Sequence, residues 1–127
     1  MECNLKEGIS SVMEIKVTEK ETAISHGSGD LPVYATPAMI ALMENTARSC
    51  VGLHLQRGYT TVGIEVSVKH VKATPMHMKV KSEATLVKVE GKKLFFKVMA
   101  WDEKGKIGEG THTRYIVNGK EFVEKLK

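Results

Sequence analysis

Only one stretch of this chain reads as a long helix, and nearly everything after it reads as strand. The run Thr36-Pro37-Ala38-Met39-Ile40-Ala41-Leu42-Met43-Glu44-Asn45-Thr46-Ala47 places apolar side chains three and four residues apart, the spacing of a helix that buries one face. Thr36 is expected as its cap and Pro37 as its first helical residue, where the missing N–H does no harm. The helix should continue to about residue 55 and stop before Gly58. With one helix to cover them, the strands must form a single antiparallel sheet against it. The expected class is α+β, with one long helix packed on a curved antiparallel sheet.

The strands follow from alternation and turn signals. Residues 12–17 place Met13, Ile15 and Val17 on one face, and a second extended piece is expected at 21–25. His26-Gly27-Ser28-Gly29-Asp30 reads as a turn-rich loop, and Pro32 biases Leu31 toward extended backbone. After the helix, strands are expected at 61–71, 78–89, 94–101 and 107–117, with turns at Thr74-Pro75, Glu90-Gly91-Lys92, 102–105 and Asn118-Gly119. Residues 122–126 would form a last short turn of helix.

Two polar residues break these patterns. Glu44 shares a helix face with Ile40, Ala47 and Val51, and an unpartnered ionised carboxylate buried there would cost several kcal/mol, roughly. In 61–71 the even positions Val62, Ile64, Val66 and Val68 are apolar and β-branched, and the same phase continues into His70. If the period of two persists, His70 points into the core with them. A carboxylate on the helix face and an imidazole on the strand face describe a site built between helix and sheet.

Composition sets outer limits. A chain of 127 residues with 42% apolar residues suits one globular domain, 1–127, and is too short for two ordinary cores. No run of about 18 apolar residues is present, so no membrane span is expected. Met1-Glu2-Cys3-Asn4-Leu5-Lys6 lacks the basic and apolar segments of a secretory signal, and a cytoplasmic location is the default expectation. Cys3 and Cys50 show no CxxC spacing, and His26, His54, His77 and His112 show no ligand spacing with an acidic partner. Neither a disulfide nor a bound metal nor another cofactor is expected. The net charge of +4, from 19 basic and 15 acidic residues, suits a small polyanionic ligand. With 6% aromatic residues and no continuous basic block, nucleic acid is not expected as a partner.

The arrangement resembles the hot-dog fold, in which a sheet wraps a central helix and two subunits commonly pair into a longer sheet. More narrowly, Val33-Tyr34-Ala35-Thr36-Pro37-Ala38-Met39-Ile40-Ala41-Leu42-Met43-Glu44 is similar to the helix start of the fluoroacetyl-CoA thioesterase-like family. Thr61-Val62-Gly63-Ile64-Glu65-Val66, His70 before Ala73-Thr74-Pro75, and Gly108-Glu109-Gly110-Thr111-His112-Thr113-Arg114 agree in the same order, so that the resemblance spans residues 31–117. It implies hydrolysis of a short or small acyl-CoA thioester, with Thr36, Glu44 and His70 as the catalytic group and Gly63 and Arg114 helping to hold substrate. It also implies a site at the interface of a homodimer. One departure is visible: the fluoroacetate-specific member carries a phenylalanine gate where this chain has Leu31, which weakens the expectation of fluoroacetyl selectivity more than that of thioester cleavage. Leu31 and Tyr34, with Met39 and Met43, are the candidates for the acyl pocket.

Each residue also has a plainer reading. Thr36 would be only a helix cap, Glu44 a solvated edge residue, His70 a satisfied core histidine, Gly63 a bulge and Arg114 an outward strand residue. Eight residues separate Thr36 from Glu44, roughly 12 Å along a regular helix. The two could meet only if the preceding loop folds back or a second chain supplies one of them. Two other functions remain open: an acyl-CoA-binding protein without catalysis, and an enoyl-CoA hydratase of the same fold, which would need an aspartate–histidine pair near the helix start.

Overall fold

The computed structural model describes residues 5–127, so that Cys3 lies outside the described residues. Strand β1 (Ser10–Lys16) leads through a 3-10 turn (Glu19–Glu21) and a short helix α1 (Ala23–His26) to the long helix α2 (Thr36–Gly52). Then come β2 (Tyr59–His70), β3 (Lys79–Glu90), β4 (Lys93–Asp102) and β5 (Gly105–Asn118), closed by helix α3 (Gly119–Glu124). The five strands form one antiparallel sheet in the order β1-β3-β4-β5-β2. β1 and β2 are therefore its two edges.

Helix α2 buries Ala38, Met39, Leu42, Met43, Thr46, Ala47, Cys50 and Val51, one face at helical spacing. That face lies on the sheet, chiefly against β3 and β1. The sheet answers with Val80, Ala84 and Leu86 from β3, Leu94, Phe96, Val98 and Ala100 from β4, and Ile107 and Ile116 from β5. Alternation along β4 is strict because one face meets the helix and the other meets water.

Three expectations need correction. The cap of α2 is Ala35, with Thr36 as the first helical residue and no side-chain cap, because the Thr36 hydroxyl is engaged elsewhere. Residues 21–25 are extended only at Thr22, which bridges to Tyr34. Thr18 and Glu21 form a reciprocal capping box, and the Thr22 side chain accepts from Ser25 N–H, which winds the chain into two short helical turns. The period of two in β2 also fails at one point. The register against β5 shifts between Gly63 and Glu65, a bulge that adds one residue to β2. Thr61 and Gly63, opposite Ile116 and Arg114, face the helix before it, and Val66, Val68 and His70, opposite His112, Gly110 and Gly108, face it afterwards. Val62 and Ile64 are thus out of phase with the expectation, whereas His70 faces inward as expected.

A buried carboxylate joins the segments that bear on the site. The Asp102 side chain, 1% exposed, accepts from Lys72 Nζ (3.1 Å), Thr74 Oγ1 (2.8 Å) and Lys104 N–H (2.8 Å). Burial alone would raise its pKa, but these bonds outweigh it and hold the carboxyl below its ordinary range. Thr74 C=O in turn accepts from Tyr34 N–H (2.8 Å), and Val33 bridges to Pro75. The stretch leaving β2 is thereby tied both to the β4–β5 turn and to the stretch entering α2. Asp102→Ala would leave Thr74 and Lys72 unpartnered, and a loss of about 3 kcal/mol is expected. Urea unfolding of parent and variant measures it.

Candidate active site

The inward-facing polar groups gather in two places on α2, one at its start and one two turns further along. At the start, Thr36 Oγ1 and His70 Nδ1 are 2.8 Å apart and share a hydrogen bond. His70 Nε2 is buried with no partner, and the ring meets Tyr34 edge-on, with centroids 6.3 Å apart. Tyr34 is 1% exposed and its hydroxyl also lacks a partner. Burial pushes the His70 pKa down, opposed by the Lys72 carbonyl, and pushes the Tyr34 pKa up. His70 is therefore a neutral imidazole at neutral pH, able to take a proton from the Thr36 hydroxyl. A cavity of about 330 Å³ opens beside the pair, lined in part by Ser28, Val33, Tyr34, Thr36, His70 and Lys72.

The second place is built around a buried guanidinium. Arg114 is 6% exposed. It donates from Nε to Thr61 Oγ1 (2.7 Å), from Nη2 to Thr61 C=O (2.9 Å) and from Nη1 to His112 Nε2 (3.2 Å). Glu44 Oε2 lies 3.9 Å from Nη1, with the Glu44 side chain 42% exposed. Burial lowers the Arg114 pKa, and the Glu44 carboxylate opposes that shift; an arginine so placed stays charged. Gly63 stands opposite Arg114 in the β2–β5 ladder. A Cβ there would come within 2.8 Å of Glu44 Oε2, 3.2 Å of His112 Cε1 and 3.3 Å of Arg114 Nη1. Glycine is what allows carboxylate and guanidinium to approach over the strand.

The structure thus brings Thr36 together with His70, and Glu44 together with Gly63 and Arg114, but it does not join the two groups within one chain. Thr36 lies in the first turn of the helix, so the loop does not fold back, and the eight-residue spacing separates the backbones by roughly 12 Å. Tyr34 belongs to the first group. Leu31 is 64% exposed and does not line the cavity beside His70. Met39 and Met43 are fully buried core residues. The nearest polar partner of His70 is a hydroxyl rather than the aspartate a hydratase would need. Thr61 and His112 were missed by the sequence reading. The available signal was spacing: His112 and Arg114, two residues apart on a strand, share a face. Among the described residues, no group of three or more His, Cys, Asp or Glu is placed to hold a metal ion, and no helix is long and apolar enough to cross a membrane.

A sheet of this order with one helix across it matches solved structures of known class. A hot-dog-like protein from Thermanaerovibrio acidaminovorans superimposes with a TM-score of 0.87 at 20% identity, covering 96% of this chain and 90% of that one. The fold is the hot-dog fold. Residues 17–120 match the fluoroacetyl-CoA-specific thioesterase family (FlK), and the chain is a member of it. The fluoroacetyl-CoA thioesterase of Streptantibioticus cattleyicolor is 35% identical over 95 residues, 75% of this chain and 68% of that protein. A solved structure of the fluoroacetyl-CoA thioesterase FlK superimposes with a TM-score of 0.91 at 29% identity, covering 97% of this chain and 96% of that one.

Both inward histidines have pKa values held down by burial. As pH falls below about 6.5, the unfolded chain binds protons that the folded chain refuses. Their contribution is therefore fully present above that pH and is lost as pH falls toward the folded values. The thermal midpoint should drop between pH 7.5 and pH 5.5, and the drop should be shallower in His70→Asn. Melting curves at matched ionic strength measure both slopes.

Proposed function

We propose that the protein hydrolyses a short or small acyl-CoA thioester to the free acid and CoA, in a site completed between two copies of the chain. The observation that carries this reading is the placement of Glu44. It is a half-exposed carboxylate with its nearest cation 3.9 Å away, set over a glycine that clears the space before it. Membership of a thioesterase family supports the reaction class.

Hydrolysis of a thioester needs an attacking oxygen, a donor for the developing oxyanion and stabilisation of the departing thiolate. Glu44 supplies the attack, either on the carbonyl carbon, expelling CoA thiolate to leave a mixed anhydride that water then cleaves, or by taking a proton from a water that adds to the carbonyl and displaces the thiolate. Arg114, charged and desolvated, holds substrate close to Glu44. The Thr36 hydroxyl positions the carbonyl or the water. His70, oriented by Thr36, gives the leaving sulfur a proton, and the proton released from water restores the imidazole, so that Thr36 and His70 end as they began.

The chain acts as a homodimer. β2 is a twelve-residue edge strand that exposes Ile64 (51%) and Val66 (39%), an apolar edge that a protein normally covers. Pairing of two such edges would lengthen the sheet and bring one chain's Thr36–His70 pair toward the other's Glu44. Lysines at the rim, Lys72 among them, would meet the CoA phosphates. Leu31, exposed two residues before the cavity-lining Val33, would border the acyl group.

The test is thiol release from acetyl-, propionyl- and fluoroacetyl-CoA by the parent protein and by Glu44→Ala. Activity in the parent with loss of about a hundredfold or more is expected in a variant that retains its circular dichroism spectrum. A parent that binds these thioesters by calorimetry but never releases thiol would overturn the reading in favour of a binding protein. Gly63→Ala makes a second prediction. The long Glu44 side chain can yield to the added methyl, but the buried His112 and Arg114 must also give slightly, so the fold should survive with a loss of about 1–3 kcal/mol, while kcat/KM falls at least about tenfold as the carboxylate is displaced. Sedimentation of the parent should give a dimer, and Ile64→Lys should shift it toward monomer with parallel loss of activity.

A further inference from the structure

The Arg114 guanidinium has five N–H groups. Thr61 takes one from Nε and one from Nη2, and His112 takes one from Nη1. The role of His112 is fixed by its other nitrogen. Its Nδ1 faces Glu65 C=O at 2.8 Å, and a carbonyl can only accept, so Nδ1 carries the proton. Nε2 is then a bare lone pair, as its contact with a guanidinium N–H requires. The ring is 2% exposed and stacks on Phe96 with centroids 6.2 Å apart. Strand β2 supplies the carbonyl, strand β4 the aromatic face, helix α2 the Glu44 carboxylate, and β5 the arginine itself.

We propose that His112 is a positioning residue for the reaction: as a neutral Nδ1–H imidazole it engages Arg114 Nη1 and keeps the guanidinium from closing onto Glu44. The distance carries the argument. Charge-assisted bonds between guanidinium and carboxylate settle at about 2.8 Å, yet Nη1 stands 3.9 Å from Glu44 Oε2 and 3.2 Å from His112 Nε2. The imidazole takes one of the two Nη1 N–H groups, and the pose that this bond and the Thr61 bonds fix leaves the other short of the carboxylate. With the imidazole in place, Glu44 stays beside a positive charge and free to engage water or an acyl carbon. Without it, Arg114 swings onto Glu44 and the attacking oxygen is masked.

This inference rests on the roles given to Glu44 and Arg114 above, and two substitutions test it by geometry. Glutamine places an amide oxygen where Nε2 sits and preserves the acceptor for Arg114. Asparagine reaches only the Glu65 carbonyl side and removes that acceptor. In thiol release from acetyl-CoA, His112→Gln is expected to stay within about threefold of the parent, whereas His112→Asn loses about tenfold or more in kcat with little change in KM. Equal activity in the two variants, or losses that follow their melting temperatures alone, would overturn the inference. A second readout does not depend on turnover. Nitrogen-15 spectra of the histidine side chains should show His112 neutral and protonated at Nδ1 at pH 7. The Nε2–H form would overturn the inference even in an inactive parent, whereas inactivity alone would count against the thioesterase reading and not against His112.

Discussion

A guanidinium enclosed by protein needs acceptors for its donors, and the way Arg114 finds three of them shapes one side of the sheet. Its acceptors come from two strands: Thr61 on β2 and His112 on β5. Thr61 can serve only if it faces the helix, which puts the odd positions of β2 inward at that end. His70 must face the same way at the other end, on an even position, to reach Thr36. Both demands are met by one extra residue, the bulge between Gly63 and Glu65. A bulge weakens the ladder locally. Here it lets one strand present inward polar groups to both places on α2.

Helix α2 imposes the complementary restriction. Its buried face from Ala38 to Val51 is apolar but for Thr46, whose hydroxyl donates to Leu42 C=O within the helix, so the polar groups that could serve a site are confined to its first residue and to the flank where Glu44 lies. Burying that face fixes the rotation of the helix, since turning it to seal Glu44 would expose leucine and methionine that contribute roughly 1.5–3 kcal/mol each. Glu44 is thus left half in solvent by the packing of its neighbours. The same packing puts Thr36 against His70 rather than at the cap, and its hydroxyl is exchanged from backbone to imidazole.

Much of this was legible in the sequence. Pro37 and the spacing of Met39, Leu42, Met43 and Ala47 announce the helix, and Gly91 and Gly105 with alternating apolar neighbours announce the hairpins. Glu44 and His70 stood out because each violated a period. The bulge was illegible: Val62, Ile64, Val66 and Val68 continue one alternation through it, and only the needs of Arg114, fifty residues later, decide where the phase breaks. Thr61 and His112 were hidden for the same reason. A threonine opening a strand and a histidine within one are ordinary until the guanidinium between them is known to be buried. The capping box at Thr18 and Glu21 was readable as T-x-x-E, but an extended reading of 21–25 competed with it.

Each half of the candidate site is held by hydrogen bonds within its own chain, with His70 Nε2 and the Tyr34 hydroxyl left unpartnered in the first. Thr36 and His70 hold one another, and Arg114 is held by Thr61 and His112 without help from outside the chain. Association of two chains, as proposed, would therefore not have to build either half. It would have to place one relative to the other. Flexible halves would need to be ordered during association, offsetting much of the contact energy; halves already fixed by bonds of 2.7–3.2 Å bring that order with them. Orientation of an attacking carboxylate against an acyl carbon is among the largest contributions a protein can make to rate. In this fold that orientation would be set by the joining of two edges, and the stiffness that makes it reproducible already resides in each chain, in Thr36 held by His70 and in Arg114 held by Thr61 and His112.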